Sequence, residues 1–355
     1  MSRLLLLSPS GQGRADGIAA ATDALYQALE ASGHQVSLVC LAQPTAGLSR
    51  WRASLVRARF LWGAAIQLLR GRPVEVVVCH LNLAPLARCL HQWLDIPYRV
   101  LLHGLELQGL ERQSPLAGKR LVALAQARQL IAVSSHTAFL ARALTGFDQA
   151  QLVCLPNTFC ADRFRLQPQQ PRSPLPTLLT VCRLDASEGY KGVDRVLQAL
   201  PQVIEAIGPI RYLVAGRGDD LPRLQALAVS LGLQNFFKPL GFVDSADLPK
   251  LYASVDAFVM PSTGEGFGIV FLEAMACGTP VLAGNRDGSV DALGGGRLGL
   301  LVDPLDPSAI AAGIIQLLRR QGPPLWFHRD QLSQAVMDHF GPAAYQRRVA
   351  ELFPL

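Results

Sequence analysis

The chain has 355 residues, half of them apolar, and a formal net charge of +6. That length is comfortable for two domains with separate cores, and no apolar run approaches the ~18 residues a membrane span needs. Seven cysteines, an odd number with no C-x-x-C pair, speak against a disulfide framework and a zinc cluster and fit a reducing cytoplasm.

The charge is unevenly placed. Residues 1–165 carry 17 Lys and Arg against 9 Asp and Glu, and the remainder 16 against 18. Six Arg and no acid fall between Leu48 and Val74, on a pattern whose apolar positions, Leu48, Trp51, Leu55, Ala58, Trp62, Ala65 and Leu69, recur at helical spacing. Such a Leu48–Leu69 helix suits an anionic membrane surface, and equally a core-packed helix with a solvated basic face. No basic and aromatic platform accompanies it, so nucleic acid is not an expected partner.

The opening MSRLLLLSPSG is too short for a signal-peptide core and reads as a buried strand from Arg3 to Pro9. A glycine-containing loop, Ser10 to Gly17, precedes a helix from Ile18 to about Ser32; strand, loop and helix together make a phosphate-binding candidate. Gly11, Gly13 and Gly17 miss the G-x-G-x-x-G spacing by one, with Asp16 where the third glycine belongs. Strand-like runs recur at Gln35–Leu41, Val74–His80, Tyr98–Leu102, Leu130–Val133 and Gln151–Leu155, separated by helical patterns. This alternation implies a parallel sheet covered on both faces, with ligands at the carboxyl ends of the strands. His103, Gly104 and Glu106 fall on that edge, although a lone His is more often structural, and the other six His have no such placement. Ser134 and Ser135 read as a helix N-cap.

Gln167–Pro176, rich in Pro and Gln, reads as a linker. The next strand, Thr177–Val181, leads to Arg183 and Lys191 before Gly192 and a helix. Two cations at a strand's carboxyl end form a diphosphate clamp that needs no metal; a bare surface pair is the bland alternative. Strands follow at Arg211–Ala215, at Phe236–Val243 with its loop, and at Asp256–Met260. Then comes TGEGFGIVFLEAMACGTP, Thr263 to Pro280. Ile269, Leu272 and Ala276 share a helical stripe with Glu273 at its edge, and Glu265 sits in the glycine turn before the helix, where the positive helix end points outward. A strand at Leu301–Asp303 and a helix from Pro307 to Arg320 close the pattern. Gly322-Pro323-Pro324 then breaks the chain before a last amphipathic part.

Glu265 and Glu273 in GEGFGIVFLEAMACGTP, with HGLE at His103, CRLDASEGYKG at Cys182 to Gly192 and the segment Leu155–Phe164, resemble the retaining GT-B glycosyltransferases of family 4 (glycosyl transferases group 1). The resemblance implies an α/β GT-B fold, two Rossmann-like doubly wound parallel-sheet domains facing each other across a cleft. The expected division is 1–166 acceptor-side, 167–176 linker, 177–324 nucleotide-sugar-binding, and 325–355 helices folding back toward the first domain. It further implies that Glu273 holds the ribose hydroxyls, and that Glu265 with the turn Gly266, Phe267 and Gly268 meets the sugar. Arg183 and Lys191 would take the diphosphate, Gly17 would lie near it, His103 would reach the sugar, and backbone at Phe242 and Val243 would face the base.

The implied activity is retaining transfer from a GDP- or UDP-sugar to a glycan or lipid-linked acceptor in surface polysaccharide or glycolipid assembly, with no metal or other cofactor. The implied place is cytoplasmic or peripheral at the inner face of the membrane. A GT-B-like epimerase or phosphorylase, or a catalytically silent nucleotide-sugar-binding partner of another transferase, would share the clamp. The chain departs from the family pattern at Thr158, at Cys182 and at Asn285–Ser289, each in a segment where glycine is usual.

Overall fold

The computed structural model describes residues 2–10, 17–41, 60, 62–67, 71, 73–108, 110, 114–168 and 173–355. The chain forms two compact units, one of residues 1–158 and 342–355, the other of residues 159–341. The Leu48–Leu69 segment lies mostly outside the described residues, as do Gly11 to Asp16. No described helix is long and apolar enough to cross a membrane.

The first unit holds a six-stranded sheet: β1 (Arg3–Ser8), β2 (Gln35–Cys40), β3 (Glu75–Val78), β4 (Tyr98–Leu102), β5 (Gln129–Ala132) and β6 (Leu152–Cys154). Their order is β2-β1-β3-β4-β5-β6 and every pairing is parallel. Runs such as LLLL in β1 and VVV in β3 are buried on both faces, which is why they read as unbroken apolar stretches instead of alternating ones. Leu5, Leu7, Val76, Val78, Val100, Leu102 and Leu130 form the core on one side.

The second unit repeats the plan with β7 (Thr177–Val181), β8 (Arg211–Ala215), β9 (Phe237–Gly241), β10 (Ala257–Met260), β11 (Val281–Gly284) and β12 (Leu300–Val302), ordered β12-β11-β10-β7-β8-β9 and again all parallel. Leu178, Val196, Leu197, Tyr212, Val214, Val259, Leu282 and Ile314 make its core. Strand β11 has no counterpart among the sequence expectations. It is four residues long, and its run VLAG continues the apolar pattern of the preceding helix with only a short turn between.

The division of the chain differs from the expected boundaries. The first crossing falls after Thr158, so residues 159–166 and the segment 167–176 belong to the second unit. Phe164 is buried there and meets Tyr252 edge-on at 6.1 Å between ring centroids. The helix Arg329–Phe340 also stays with the second unit: Ser333 Oγ donates to the Ala276 carbonyl at 2.6 Å, and the Phe340 ring packs on Phe267.

Residues 342–355 complete the first unit. The helix Pro342–Leu352 packs along the helix Gly17–Ala31. Its end is held by Arg99, which pairs with Glu75 at 3.0 Å, donates to the Leu352 carbonyl at 2.7 Å and lies over the Phe353 ring. His34 Nε2 donates to the Phe353 carbonyl at 2.9 Å. Arg99 and Glu75 are both buried, a placement tolerated because each has its partner.

Candidate functional site

In the second unit the loops that follow β7, β8, β10 and β11 crowd together at the carboxyl edge of the sheet. Gly216, after β8, has φ +153°, and a Cβ there would stand 1.8 Å from the Cys182 carbonyl oxygen. Only glycine lets the β7 and β8 loops approach so closely. The 3-10 segment Ala186–Lys191 leads from β7 to the helix Val193–Ile207, and the Tyr190 carbonyl accepts from the Thr263 N–H at 3.0 Å. That contact joins the loop after β7 to the glycine turn after β10.

Across this junction Lys191 Nζ is paired with Glu265 Oε1, with side chains only 17% and 12% exposed. Burial pulls the Lys191 ammonium downward in pKa, but the Glu265 carboxylate and Tyr190 outweigh it, and the net shift is upward. Lys191 therefore stays charged across the physiological range. Arg183 is exposed and pairs with Glu188.

The glycine turn is held from below by Asp287, which is 2% exposed. Its Oδ2 accepts from Ser262 Oγ at 2.6 Å and from the Glu265 N–H at 2.7 Å, and its Oδ1 from the Ser289 N–H at 2.9 Å. Burial raises the Asp287 pKa and these hydrogen bonds pull it back. The Gly288 N–H donates to the Glu265 carbonyl, and a Cβ on Gly288 would lie 2.0 Å from the Gly266 carbonyl oxygen. The loop Asn285–Ser289, which departs from the family pattern, is thus the brace of the Glu265–Gly266 turn.

Gly268, at φ +87°, opens the helix Ile269–Ala276, with Phe267 buried beside it. The expected single apolar stripe is not what forms here. Phe271, Leu272, Ala274, Met275 and Ala276 are all buried, so the helix is enclosed on nearly every side and Glu273 is its sole charge. Glu273 Oε2 accepts from the buried Tyr252 hydroxyl at 3.1 Å. Burial pushes the Glu273 carboxyl up to about 7, with the Tyr252 hydrogen bond and the Arg163 charge opposing. Because the folded pKa lies above the unfolded one, ionisation costs stability as pH rises from the ordinary carboxylate range through 7. Glu273→Gln is expected to stabilise the ligand-free protein on the order of 2–3 kcal/mol at pH 8 and to be near neutral at pH 4.5. Denaturant unfolding at the two pH values checks this; equal effects at both would refute it.

Near the end of β9, Phe242 is exposed under the Arg217 guanidinium at 5.4 Å, and Val243 is half-buried.

In the first unit His103 follows β4. Its Nε2 lies 2.9 Å from the Cys79 carbonyl, which can only accept, so Nε2 is the donor there. The His103 N–H donates to Glu106 Oε1 at 2.6 Å, an arrangement that fixes the turn. His80, grouped from the sequence with the structural or solvated histidines, stands parallel to His103 at 6.1 Å. Burial lowers the His80 pKa, Glu106 opposes this, and His103 and Arg120 add to it. Gly17 is the exposed first residue of its helix, and a Cβ there would meet nothing within 4 Å. Ser134 is the N-cap that its position indicated, accepting from the Thr137 N–H at 3.0 Å.

The second unit therefore gathers Lys191, Glu265, Gly266, Phe267 and Gly268 at one sheet edge, with Arg183 on the adjoining loop and Glu273 on the helix beyond. The first unit places His103 and Gly17 at the carboxyl ends of β4 and β1. The motifs exposed these residues, whereas Asp287, Tyr252 and His80 stand in none of them, Glu188 falls within the Cys182–Gly192 segment without being singled out, and all four emerge from contacts.

Two six-stranded parallel sheets flanked by helices, each with glycine turns and charged side chains at its carboxyl edge, define the GT-B class of α/β protein. A Glycosyltransferase Family 4 model matches residues 15–163 and a Glycosyl transferases group 1 model matches residues 175–320. The chain belongs to the family 4 glycosyltransferases. A GDP-mannose-dependent alpha-(1-6)-phosphatidylinositol monomannoside mannosyltransferase of Mycobacterium tuberculosis is 33% identical over 181 residues, 48% of this chain and 47% of that protein. The matches span less than half the length of such curated relatives. Sucrose-phosphate synthase from Thermosynechococcus elongatus superposes with a TM-score of 0.78 at 22% identity over 99% of this chain and 98% of that one. The Anabaena protein HepE in complex with UDP does so at 0.73 and 20% identity over 99% of each.

Proposed function

We propose that the protein transfers a hexose, with retention of configuration, from a nucleotide-diphosphate sugar to a glycan or lipid-linked acceptor in surface polysaccharide or glycolipid assembly. The observation that carries this reading is the Lys191–Glu265 pair, set at the carboxyl edge of β7 and β10 in a chain that matches the family over both units. GDP-mannose in the name of the M. tuberculosis relative and UDP bound to the Anabaena protein make GDP- and UDP-sugars the donors to test.

Breaking the glycosyl-phosphate bond builds negative charge on the departing diphosphate and positive charge on the sugar ring. Lys191 and Arg183, fixed before the reaction begins, stabilise that diphosphate more in the transition state than in the ground state. Glu273, at the far end of the clamp, accepts from the ribose hydroxyls, and Glu265 with the Gly266–Gly268 turn accepts from and donates to the sugar. His103, its Nε2 held by the Cys79 carbonyl, offers Nδ1 to a sugar hydroxyl, and Gly17 leaves room for the phosphates. Val243 offers backbone to the base. The departing phosphate receives the acceptor's proton. Charge neutralisation by side chains makes the step independent of metal, so EDTA leaves the rate unchanged.

A lipid-linked acceptor would put the work at a membrane surface, a reading that phosphatidylinositol in the relative's name supports. Liposomes of anionic lipid at low salt test the attachment, and absence of co-sedimentation would remove it.

Thermal unfolding with a panel of GDP-, UDP- and ADP-sugars identifies the donor. Binding at a hundred times the dissociation constant adds about 2.7 kcal/mol. The gain is expected with one nucleotide and is lost in Arg183→Ala and Glu273→Ala. Proton NMR of the product anomer decides retention. A gain without transfer to any acceptor would favour a silent binding partner, and sugar conversion without an acceptor would favour an epimerase.

A further inference from the structure

The loop after β7 carries a carboxylate that the proposed reaction does not use. Glu188 lies between the two cations of the clamp in sequence, and its side chain is 11% exposed, against 71% for the Arg183 it pairs with. One oxygen, Oε1, faces Arg183, while Oε2 is buried with no hydrogen-bond partner. A hollow opens beside it, lined by Arg183, Glu188, Lys191, Asp194 and Arg223 among others. Arg183 and Lys191 attract the Glu188 charge; Asp185 and Glu265 repel it; Tyr190 and Cys182 stand near it, and Asp194, Asp220 and Arg223 line the same hollow.

In the ligand-free chain each clamp cation is therefore matched to a carboxylate: Lys191 to Glu265 and Arg183 to Glu188. The second match is poor. An ionised carboxylate with one buried, unpartnered oxygen gives up part of its hydration for a single ion pair with an exposed guanidinium. Burial accordingly raises the Glu188 pKa.

We propose that Glu188 is the internal counter-ion of the clamp: it engages Arg183 until a nucleotide-diphosphate sugar arrives, and is displaced and protonated when the diphosphate takes its place. The proposal rests on the reading of Arg183 and Lys191 as donor-phosphate ligands. A diphosphate diester brings two negative charges to two cations. If Glu188 stayed ionised, a third negative charge would remain in a poorly hydrated loop with its partner taken away, beside Asp185 and the incoming phosphates. A proton drawn from solvent removes that charge. The same competition sets a threshold on the ligand, because a group carrying a single negative charge gains less from Arg183 than it must displace. Glu188 thereby acts as a specificity device favouring the doubly charged diphosphate diester over a singly charged phosphodiester.

The test is isothermal titration of GDP-mannose and UDP-glucose at pH 6, 7 and 8, in two buffers of different ionisation heat. Both phosphates of these sugars are esterified, so neither ligand titrates in that window. Glu273 titrates there too, so proton uptake is read as the difference between wild type and Glu188→Gln. Wild type is expected to take up protons that the variant does not. At pH 8 the variant is expected to bind about tenfold tighter, about 1.4 kcal/mol of relieved competition, and to narrow the preference over a singly charged phosphodiester, the methyl ester of GMP or UMP. Glu188→Ala serves as a second variant, with thermal unfolding confirming that each is folded. Unchanged affinity and equal proton uptake in the Glu188 variants, together with binding lost in Arg183→Ala, would overturn the counter-ion alone. Affinity unchanged in Arg183→Ala as well would overturn the clamp reading, and the counter-ion with it.

Discussion

Replacing Lys191 by Met is expected to lower kcat/KM by roughly 10³-fold, because on the proposed mechanism it removes a fixed positive charge from the departing diphosphate, an effect of the size found when one preorganised donor is lost from a transition state. The same substitution is expected to cost about 3 kcal/mol of stability, since Glu265 is left with a little-exposed charge and no cation. These two losses have different remedies. The double variant Lys191→Met with Glu265→Gln removes the orphaned charge and regains most of the stability, while its turnover stays low. Steady-state kinetics beside denaturant unfolding on the single and double variants separates them. A double variant that recovered turnover would show that Lys191 acts only by holding Glu265 in place.

Asp287→Ala is expected to lose about 3–5 kcal/mol of stability, the cost of breaking a buried, hydrogen-bonded charge site. The substitution strips the acceptor from Ser262 Oγ and from the Glu265 and Ser289 N–H groups together. The Glu265–Gly266 turn then loses its support from below and keeps the Gly288 contacts, the Lys191 pair and the Thr263–Tyr190 hydrogen bond, and a misplacement near 1 Å costs on the order of 10²-fold in rate. Asp287→Asn isolates geometry from charge: it can still accept from one or two of the three donors, so it should fall between wild type and Ala in both stability and kcat. Rates unchanged in Asp287→Ala would mean that the turn holds its shape without the brace.

The strands were legible wherever an apolar run of five or six residues ended in a turn signal. Tyr98–Leu102, Thr177–Val181 and Arg211–Ala215 have the same limits in sequence and structure. Val281–Gly284 was not, because four apolar residues after an apolar helix carry no period of their own. The unit boundary was hidden for a different reason. Its placement depends on Phe164 meeting Tyr252 and on Ser333 reaching Ala276, pairs far apart in sequence that no local pattern records. The site divides along the same line. Arg183, Lys191, Glu265 and Glu273 stand in motifs whose spacing reflects strand ends and helix starts. Asp287 lies in the loop that departs from the family pattern, and it acts through the Glu265 N–H and the Ser262 hydroxyl, both more than twenty residues away. His80 became visible only when parallel pairing of β3 and β4 brought the ends of those strands side by side.

The first unit is discontinuous: its sheet is finished by residue 154, yet the helix that covers Gly17–Ala31 is Pro342–Leu352. During synthesis the whole of 159–341 must leave the ribosome before that helix exists, a wait of roughly 10–40 s at ordinary elongation rates. For that interval the apolar side of Gly17–Ala31, and the buried Arg99 and Glu75, lack the segment that closes over them. Residues 159–341, by contrast, are continuous and can collapse as soon as they emerge. The later-coded unit is thus in a position to fold first, and the nascent first unit is the part of the chain for which a chaperone would have time to compete.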